Sequence, residues 1–258
     1  MRLIFSRFWL LTIISLLLSL SIGIINPQNS SALSWMDLLF RGVQVIQLST
    51  ISPQQEVAIG RQINQGLLES GKVKLSKDAR INQYVQEIGQ QLAATSDRPD
   101  LPYTFQVVRD NSINAFATMG GFVYLHTGLI KTTDNEAELA SVIAHEIGHI
   151  VGRHSITQLR NTALAQGLLS AAGLETKTWV QLAVNLAYSL PNSRKDELEA
   201  DRLGLTNLAR AGYEPTAMIS FMQKLTQQGG STPTILSTHP ATSDRIVALQ
   251  KQLNSVNN

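Results

Sequence analysis

The chain of 258 residues contains no cysteine. Disulfides and thiolate metal sites are therefore excluded. Any metal has to be held by His, Asp or Glu, a donor set that narrows the chemistry towards catalytic zinc. Net charge is also scarce, +2 at pH 7 with histidine neutral. No basic stripe with interleaved aromatics appears, so nothing indicates a nucleic-acid partner. No internal repeat and no long charged or proline-rich linker interrupts the chain, which leaves a second folded domain without support. What is plentiful is apolar residue, 43% of the chain, ample for a core even with the N-terminus set aside.

The N-terminus carries Arg2 and Arg7, then an uncharged run from Phe8 to Ile25, then Asn26-Pro27-Gln28-Asn29 and the small residues Ser30-Ser31-Ala32. Residues 1–32 are expected to be an export signal cleaved after Ala32, with a retained membrane anchor as the alternative, because 18 apolar residues just suffice to span a bilayer. Either way the remainder is expected outside the cytoplasm, periplasmic or anchored on the outer side of the cytoplasmic membrane. A single domain is expected over residues 35–258.

The chemistry is concentrated in His145-Glu146-Ile147-Gly148-His149, an H-E-x-x-H pentapeptide inside an apolar helical pattern. Residues i and i+4 of a helix lie one above the other, so His145 and His149 can reach one metal ion. Glu146 follows about 100° round the same helix and can act as general base without being a ligand. A capping box of Thr133 and Glu136 is expected to start this helix, and Leu139, Val142, Ile143, Ile147, Ile150 and Val151 give it a broad apolar surface. The bland alternative is a solvated surface helix carrying two His and a Glu.

A catalytic zinc needs a third protein ligand. The layout H-E-x-x-H-x-x-G-x-x-H fits poorly: Gly152 occupies the glycine position, but Ser155 stands where the third His belongs and His154 is one residue early. His154 is read as an ordinary polar residue favoured by the helix dipole. The other layout takes a Glu from a later helix. Ser193 can cap a helix running to about Ala211, on which Glu197, Ala200, Asp201, Gly204, Leu205 and Leu208 share one stripe. Glu197 is the expected ligand, Asp201 the acceptor for the non-metal nitrogen of a ligating His, and Glu199 the solvent-facing carboxylate. Ala200 and Gly204 would let this helix approach the His145 helix closely. A surface salt-bridge helix is the alternative.

Further elements frame this pair. Ser52, Pro53 and Gln55 read as a helix start, and a second helix is expected from about Lys77 to Thr95. Leu101 to Val108 reads as a strand, followed by a strand pair over Asn114–Thr118 and Phe122–His126 joined by Gly120-Gly121. His126 has no assigned role. Residues 159–190 are expected to form two short helices, either core packing or a substrate-gating or membrane-facing element.

The motifs HEIGHIVGRHS (His145 to Ser155), ELEADRLG (Glu197 to Gly204), NAFATMGGFVYLHTGLI (Asn114 to Ile130) and THPATSDRI (Thr238 to Ile246) together resemble the gluzincin metallopeptidases of the HtpX, OMA-type and CAAX prenyl protease family, most of all the soluble periplasmic BepA-like members. The resemblance implies an α+β fold, a mostly helical zincin-type metalloprotease domain with a small β-sheet whose edge strand lies over the active-site helix. It implies one Zn2+ held by His145, His149 and Glu197, with Glu146 as general base. It implies that Asn114, Ala115, Phe116 and Ala117 form an edge strand that pairs with extended polypeptide substrates. Arg245 falls where the family has an Arg near the active site, read either as an oxyanion stabiliser or as a plain salt bridge with Asp244 or a neighbour. His239 is read as a possible fourth ligand that would make the site latent, or as an ordinary His before Pro240. The multiple membrane spans of the HtpX and CAAX branches are absent, so prenylated-protein processing is not implied, and a stand-alone protease domain is expected. Its function is expected to be zinc-dependent hydrolysis of misfolded or misassembled envelope proteins, with an assembly factor or chaperone that retains the site as the alternative.

Overall fold

Ser52 starts the first helix of the computed structural model in the way its sequence dictates. Its hydroxyl accepts from Gln55 N while Gln55 Oε1 accepts from Ser52 N, with Pro53 at the first helical position where its missing N–H costs nothing. The structure describes residues 51–166, 176–187, 192–227, 232–240 and 243–256. The expected signal or anchor at 1–32 lies outside them, as do residues 167–175 and 188–190 of the stretch expected to form two short helices. All described residues fall within one compact unit, Phe40–Asn258.

In chain order, the described elements are α1 (Pro53–Glu69), α2 (Ala79–Thr95), β1 (Thr104–Val108), β2 (Ala115–Thr118), β3 (Phe122–His126), α3 (Thr127–Thr132), α4 (Glu136–Val151), α5 (His154–Ala165), α6 (Thr176–Leu186), α7 (Arg194–Arg210), α8 (Thr216–Gln227), α9 (Ile235–Thr238) and α10 (Ser243–Val256). This is a mostly helical α+β fold with one small mixed sheet. Among the described residues no helix is long and apolar enough to cross a membrane.

The sheet order is β1-β3-β2. The hairpin β2–β3 is antiparallel, turned by Gly120 and Gly121 at φ +82° and +96°, a backbone region that side chains rarely tolerate. β1 then pairs with β3 in parallel, so β3 is central and all five of its residues are buried. The outer edge of β1 is covered by the preceding segment through Ser76 N→Val107 O (2.8 Å) and Arg109 N→Lys74 O (2.7 Å). β2 has no strand partner on its other side among the described residues, so it is the open edge.

Helix α4 is the axis of the fold. Every residue from Glu138 to Ile150 is buried, and the helix packs against β2 and β3 on one side and against α2, α7 and α8 on the others. Leu139, Ile143, Ile147 and Ile150 each contribute about 1.5–3 kcal/mol by such burial. The helix is capped two residues after the expected N-cap, Thr133. Thr133 instead ends the short helix α3, its hydroxyl donating to Ile130 O at 2.8 Å, and Asn135 caps α4 by accepting from Glu138 N at 2.9 Å. The expectation failed because Thr127–Thr132 forms a helix of its own and uses Thr133. Likewise α5 starts at His154, earlier than expected, directly after α4.

Candidate metal centre and active site

His145 and His149 project from α4 so that their Nε2 atoms stand 3.1 Å apart. Glu197, in the first turn of α7, completes a triangle: Oε2 lies 3.5 Å from His145 Nε2 and Oε1 3.3 Å from His149 Nε2. Ser193 sets the start of α7 by accepting from Asp196 N, and the stripe Glu197, Ala200, Asp201, Gly204, Leu205 and Leu208 is buried against α4. The approach is close because of glycine on both helices. A Cβ on Gly148 would meet Ala200 O at 2.5 Å, and one on Gly204 would meet Ala144 O at 3.0 Å.

A fourth donor comes from the loop after α9. His239 Nδ1 lies 3.0 Å from Glu197 Oε1 and 3.3 Å from His145 Nε2, with Asn192 Nδ2 at 3.4 Å. One ligand atom from each of His145, His149, Glu197 and His239 lies within 4.8 Å of the others, and all four residues are buried. Ligand bonds of about 2.0 Å in a tetrahedral zinc site imply donor–donor edges of about 3.3 Å. The separations of 3.0 to 3.5 Å fit that figure, so the residues present suit the metal.

The electrostatics of the protein atoms alone point the same way. Burial disfavours the charged form of His145, but Asp201 and Glu197 outweigh it and push the imidazole up to about 10. For His149, burial wins, helped by the neighbouring His145 and His239, and the pKa falls to about 3 although Glu197 opposes it. Glu197 and Asp201 are held below the usual carboxylate range against their own burial, Glu197 by His239, His145 and His149 and Asp201 by Arg245 and His145. Three imidazoles thus converge on one carboxylate, an arrangement that a divalent cation satisfies better than protons do.

Glu146 is fully buried, and neither of its carboxylate oxygens has a hydrogen-bond partner. His239 Nε2 is 3.5 Å from Oε1. Together with Phe116, Ala117, Thr118 and Met119 of the open edge, Glu146, His149 and His239 line one cavity, closed on its far side by Leu159 of α5 and Ala183 and Leu186 of α6. Asn114 precedes β2 and is buried.

Asp201 Oδ1 lies 2.9 Å from His145 Nδ1, the nitrogen facing away from the cluster. Arg245 is buried and its guanidinium is fully engaged. Nε and Nη2 grip Asp201 at 2.7 Å each, and Nη1 meets Glu197 Oε2 at 2.6 Å and the Pro240 carbonyl at 2.9 Å. Of the two readings of Arg245, oxyanion stabiliser or salt bridge, these contacts favour the salt bridge, with Asp201 and Glu197 as its partners. Asp244, the other partner considered, pairs with Arg194 instead. Glu199 does not simply face solvent; Oε2 lies 3.6 Å from His154 Nε2. His154 is not a surface residue either. It is buried, with Nδ1 2.8 Å from His149 Nδ1. Helical spacing missed it because a left-handed residue, Arg153, intervenes. Asn192, which reaches His239 from outside any helix, carried no periodic signal.

Among known proteins, the chain is 35% identical over 214 residues to a putative beta-barrel assembly-enhancing protease of Vibrio cholerae, covering 77% of this chain and 44% of that protein. To the beta-barrel assembly-enhancing protease of Escherichia coli K12 it is 33% identical over 225 residues, 81% of this chain and 46% of that one. To the mitochondrial metalloendopeptidase OMA1 of Schizosaccharomyces pombe it is 32% identical over 176 residues, 66% and 52% respectively. The chain thus spans about half the length of these relatives. The model of peptidase family M48 matches residues 79–253, which include every element from α2 to most of α10 and all the cluster residues. By that match this protein belongs to peptidase family M48.

Proposed function

We propose that this protein is a zinc-dependent endopeptidase that cuts extended polypeptides, with His145, His149 and Glu197 holding the metal and Glu146 acting as general base. The observation that carries the reading is the Glu146 carboxylate, buried beside the His–His–Glu cluster with no hydrogen-bond partner, the His239 imidazole standing 3.5 Å away. A carboxylate so placed costs several kcal/mol unless it has another task, and no purely structural zinc site requires one. When bound, zinc polarises the scissile carbonyl and lowers the pKa of water to about 7.

The protein's own residues do the rest. Substrate lies along the open edge of β2, where main-chain hydrogen bonds from Ala115 to Ala117 hold it independently of most side chains. Glu146 Oε takes a proton from the attacking water and passes it to the leaving amine. Asp201 orients His145. Arg245 bridges Asp201 and Glu197 and so fixes the distance between ligand and orienting carboxylate. The relatives named for enhancing β-barrel assembly suggest envelope proteins, misfolded or misassembled, as substrates, with the chain exported to the periplasm or anchored on the outer face of the cytoplasmic membrane.

His239 supports a refinement. Its Nδ1 occupies the fourth corner of the cluster, and a zinc with four protein ligands has no room for water. The protein as folded here is then a latent form that needs the segment around His239 to withdraw. The same observation favours a second reading, an assembly factor that binds unfolded chains along β2 and hydrolyses little.

Elemental analysis and casein hydrolysis on the protein and its Glu146→Gln variant test the proposal. About one zinc per chain in both, with turnover reduced by at least about 100-fold in the variant, is expected. Full proteolysis by Glu146→Gln sinks the mechanism, and zinc without turnover in any form shifts the reading to binding.

A further inference from the structure

We propose that His154 is a positioning residue for the metal centre: it accepts a hydrogen bond from His149 Nδ1 and so fixes the tautomer and ring plane of that ligand. This rests on the reading of His149 as a metal ligand. Its Nε2 faces the cluster, and its Nδ1 faces away, 2.8 Å from His154 Nδ1. At that distance one ring nitrogen donates and the other accepts. An imidazole that offers its Nε2 lone pair to a metal carries its hydrogen on Nδ1, so His149 is the donor. His154 then accepts at Nδ1 and carries its own hydrogen on Nε2, which is buried and points towards Glu199 Oε2 at 3.6 Å and Asp196 Oδ1 at 3.9 Å. The two ligands of α4 are thus oriented differently. His145 faces a carboxylate, Asp201, whereas His149 faces a second imidazole.

The backbone is built to deliver that ring. Helix α4 ends at Val151 and α5 begins at His154, with Arg153 between them at φ +56° and ψ +32°. A left-handed conformation is costly for a residue with a Cβ, and glycine would avoid the cost. Arginine stands there because its side chain is needed. Nη2 donates to Ile51 O at 2.6 Å, and Nε lies 3.3 Å from the buried Glu56. Glu56 is itself gripped by both terminal nitrogens of Arg98, and Arg98 Nη1 also donates to Ile150 O, a carbonyl of the last turn of α4. The glycine comes one residue earlier. A Cβ on Gly152 would lie 2.4 Å from His154 Nε2, so the missing side chain is the space the imidazole occupies. The rings of His149 and His154 then meet edge to face, 4.9 Å between centroids.

The test is zinc affinity, measured by competition with a chelating dye on the full chain, for His154→Leu, His154→Asn and His154→Gln. Leucine keeps the bulk and loses the acceptor. Asparagine places an amide oxygen where Nδ1 stood, and glutamine places it one bond further out. A loss of about 10- to 100-fold in zinc affinity is expected for Leu and Gln, with Asn restoring most of it. The visible absorption of the cobalt-substituted protein should change for Leu and Gln and stay near wild type for Asn. Equal affinity in Leu and wild type overturns the inference. Should Leu fail to fold, Asn no tighter than Gln overturns it as well. Wild-type protein that binds no zinc, or a His149→Ala variant that binds it as tightly, refutes the metal reading itself and is distinguishable from either result.

Discussion

Gly148 of α4 faces the Ala200 carbonyl of α7 so closely that a Cβ would come within 2.5 Å of its oxygen. That contact sets the distance between the helix that carries both histidines and the helix that carries Glu197. Because the obstacle is backbone and not a movable side-chain tip, Gly148→Ala has to push the helices apart. The expected result is a loss of about 1–3 kcal/mol, with zinc affinity falling in parallel as Glu197 recedes. Denaturant unfolding and zinc titration of the same preparation check it, and unchanged values in both would contradict the packing.

His239→Ala removes the fourth donor and opens one corner of the cluster. Peptide hydrolysis is expected to increase while zinc content stays near one per chain. Lower or unchanged turnover would rule out self-inhibition and leave His239 as a supporting residue beside Glu146 and Glu197.

Arg245 contacts both Asp201 and Glu197, as His145 does from the other side, and all of these side chains are buried. Arg245→Met removes the bidentate partner of buried Asp201 and leaves both carboxylates to the histidines, and the metal-free protein should lose about 3–5 kcal/mol. Arg245→Lys keeps the charge without the fork that grips Asp201 and should fall between. Chemical denaturation orders the three proteins, and a stable Met variant would refute the anchoring role.

His126 contributes to the acid limb of stability. Burial lowers its pKa, with Asp110 opposing, while the unfolded chain protonates near 6.5. Between the folded and unfolded pKa the unfolded state binds more protons, so stability present above about pH 6.5 is lost as pH falls. His126→Asn removes the titrating group and retains a polar partner for Ser112, which lies 2.8 Å from Nδ1. Metal-free wild type should lose more Tm between pH 7.5 and 5.5 than the variant does; parallel slopes would remove His126 from the account.

Local rules made much of this fold legible. The Ser52 box, the glycine pair that turns β2 into β3, and the buried stripe on α7 follow from spacing and turn chemistry alone. Where local signals competed, they misled. Thr133 looked like the cap of α4 and was taken by α3. The parallel pairing of β1 with β3 had no signal, since partner choice depends on contacts far apart in the chain.

The sequence by itself determined the helix that carries the two histidines and the buried glutamate. The period of an α-helix puts His145 and His149 on one face with Glu146 beside them, whatever the rest of the chain does. It also made Glu197 and Asp201 neighbours on a second helix, and the lack of cysteine left only such donors. Tertiary structure decided which face met which. The Gly148–Ala200 contact turned a buried stripe into a third corner, a loop brought His239 to the fourth, Arg245 was drawn behind the cluster, and one left-handed arginine swung His154 onto His149. Those placements depend on close packing between segments distant in sequence, and no local periodicity encodes them.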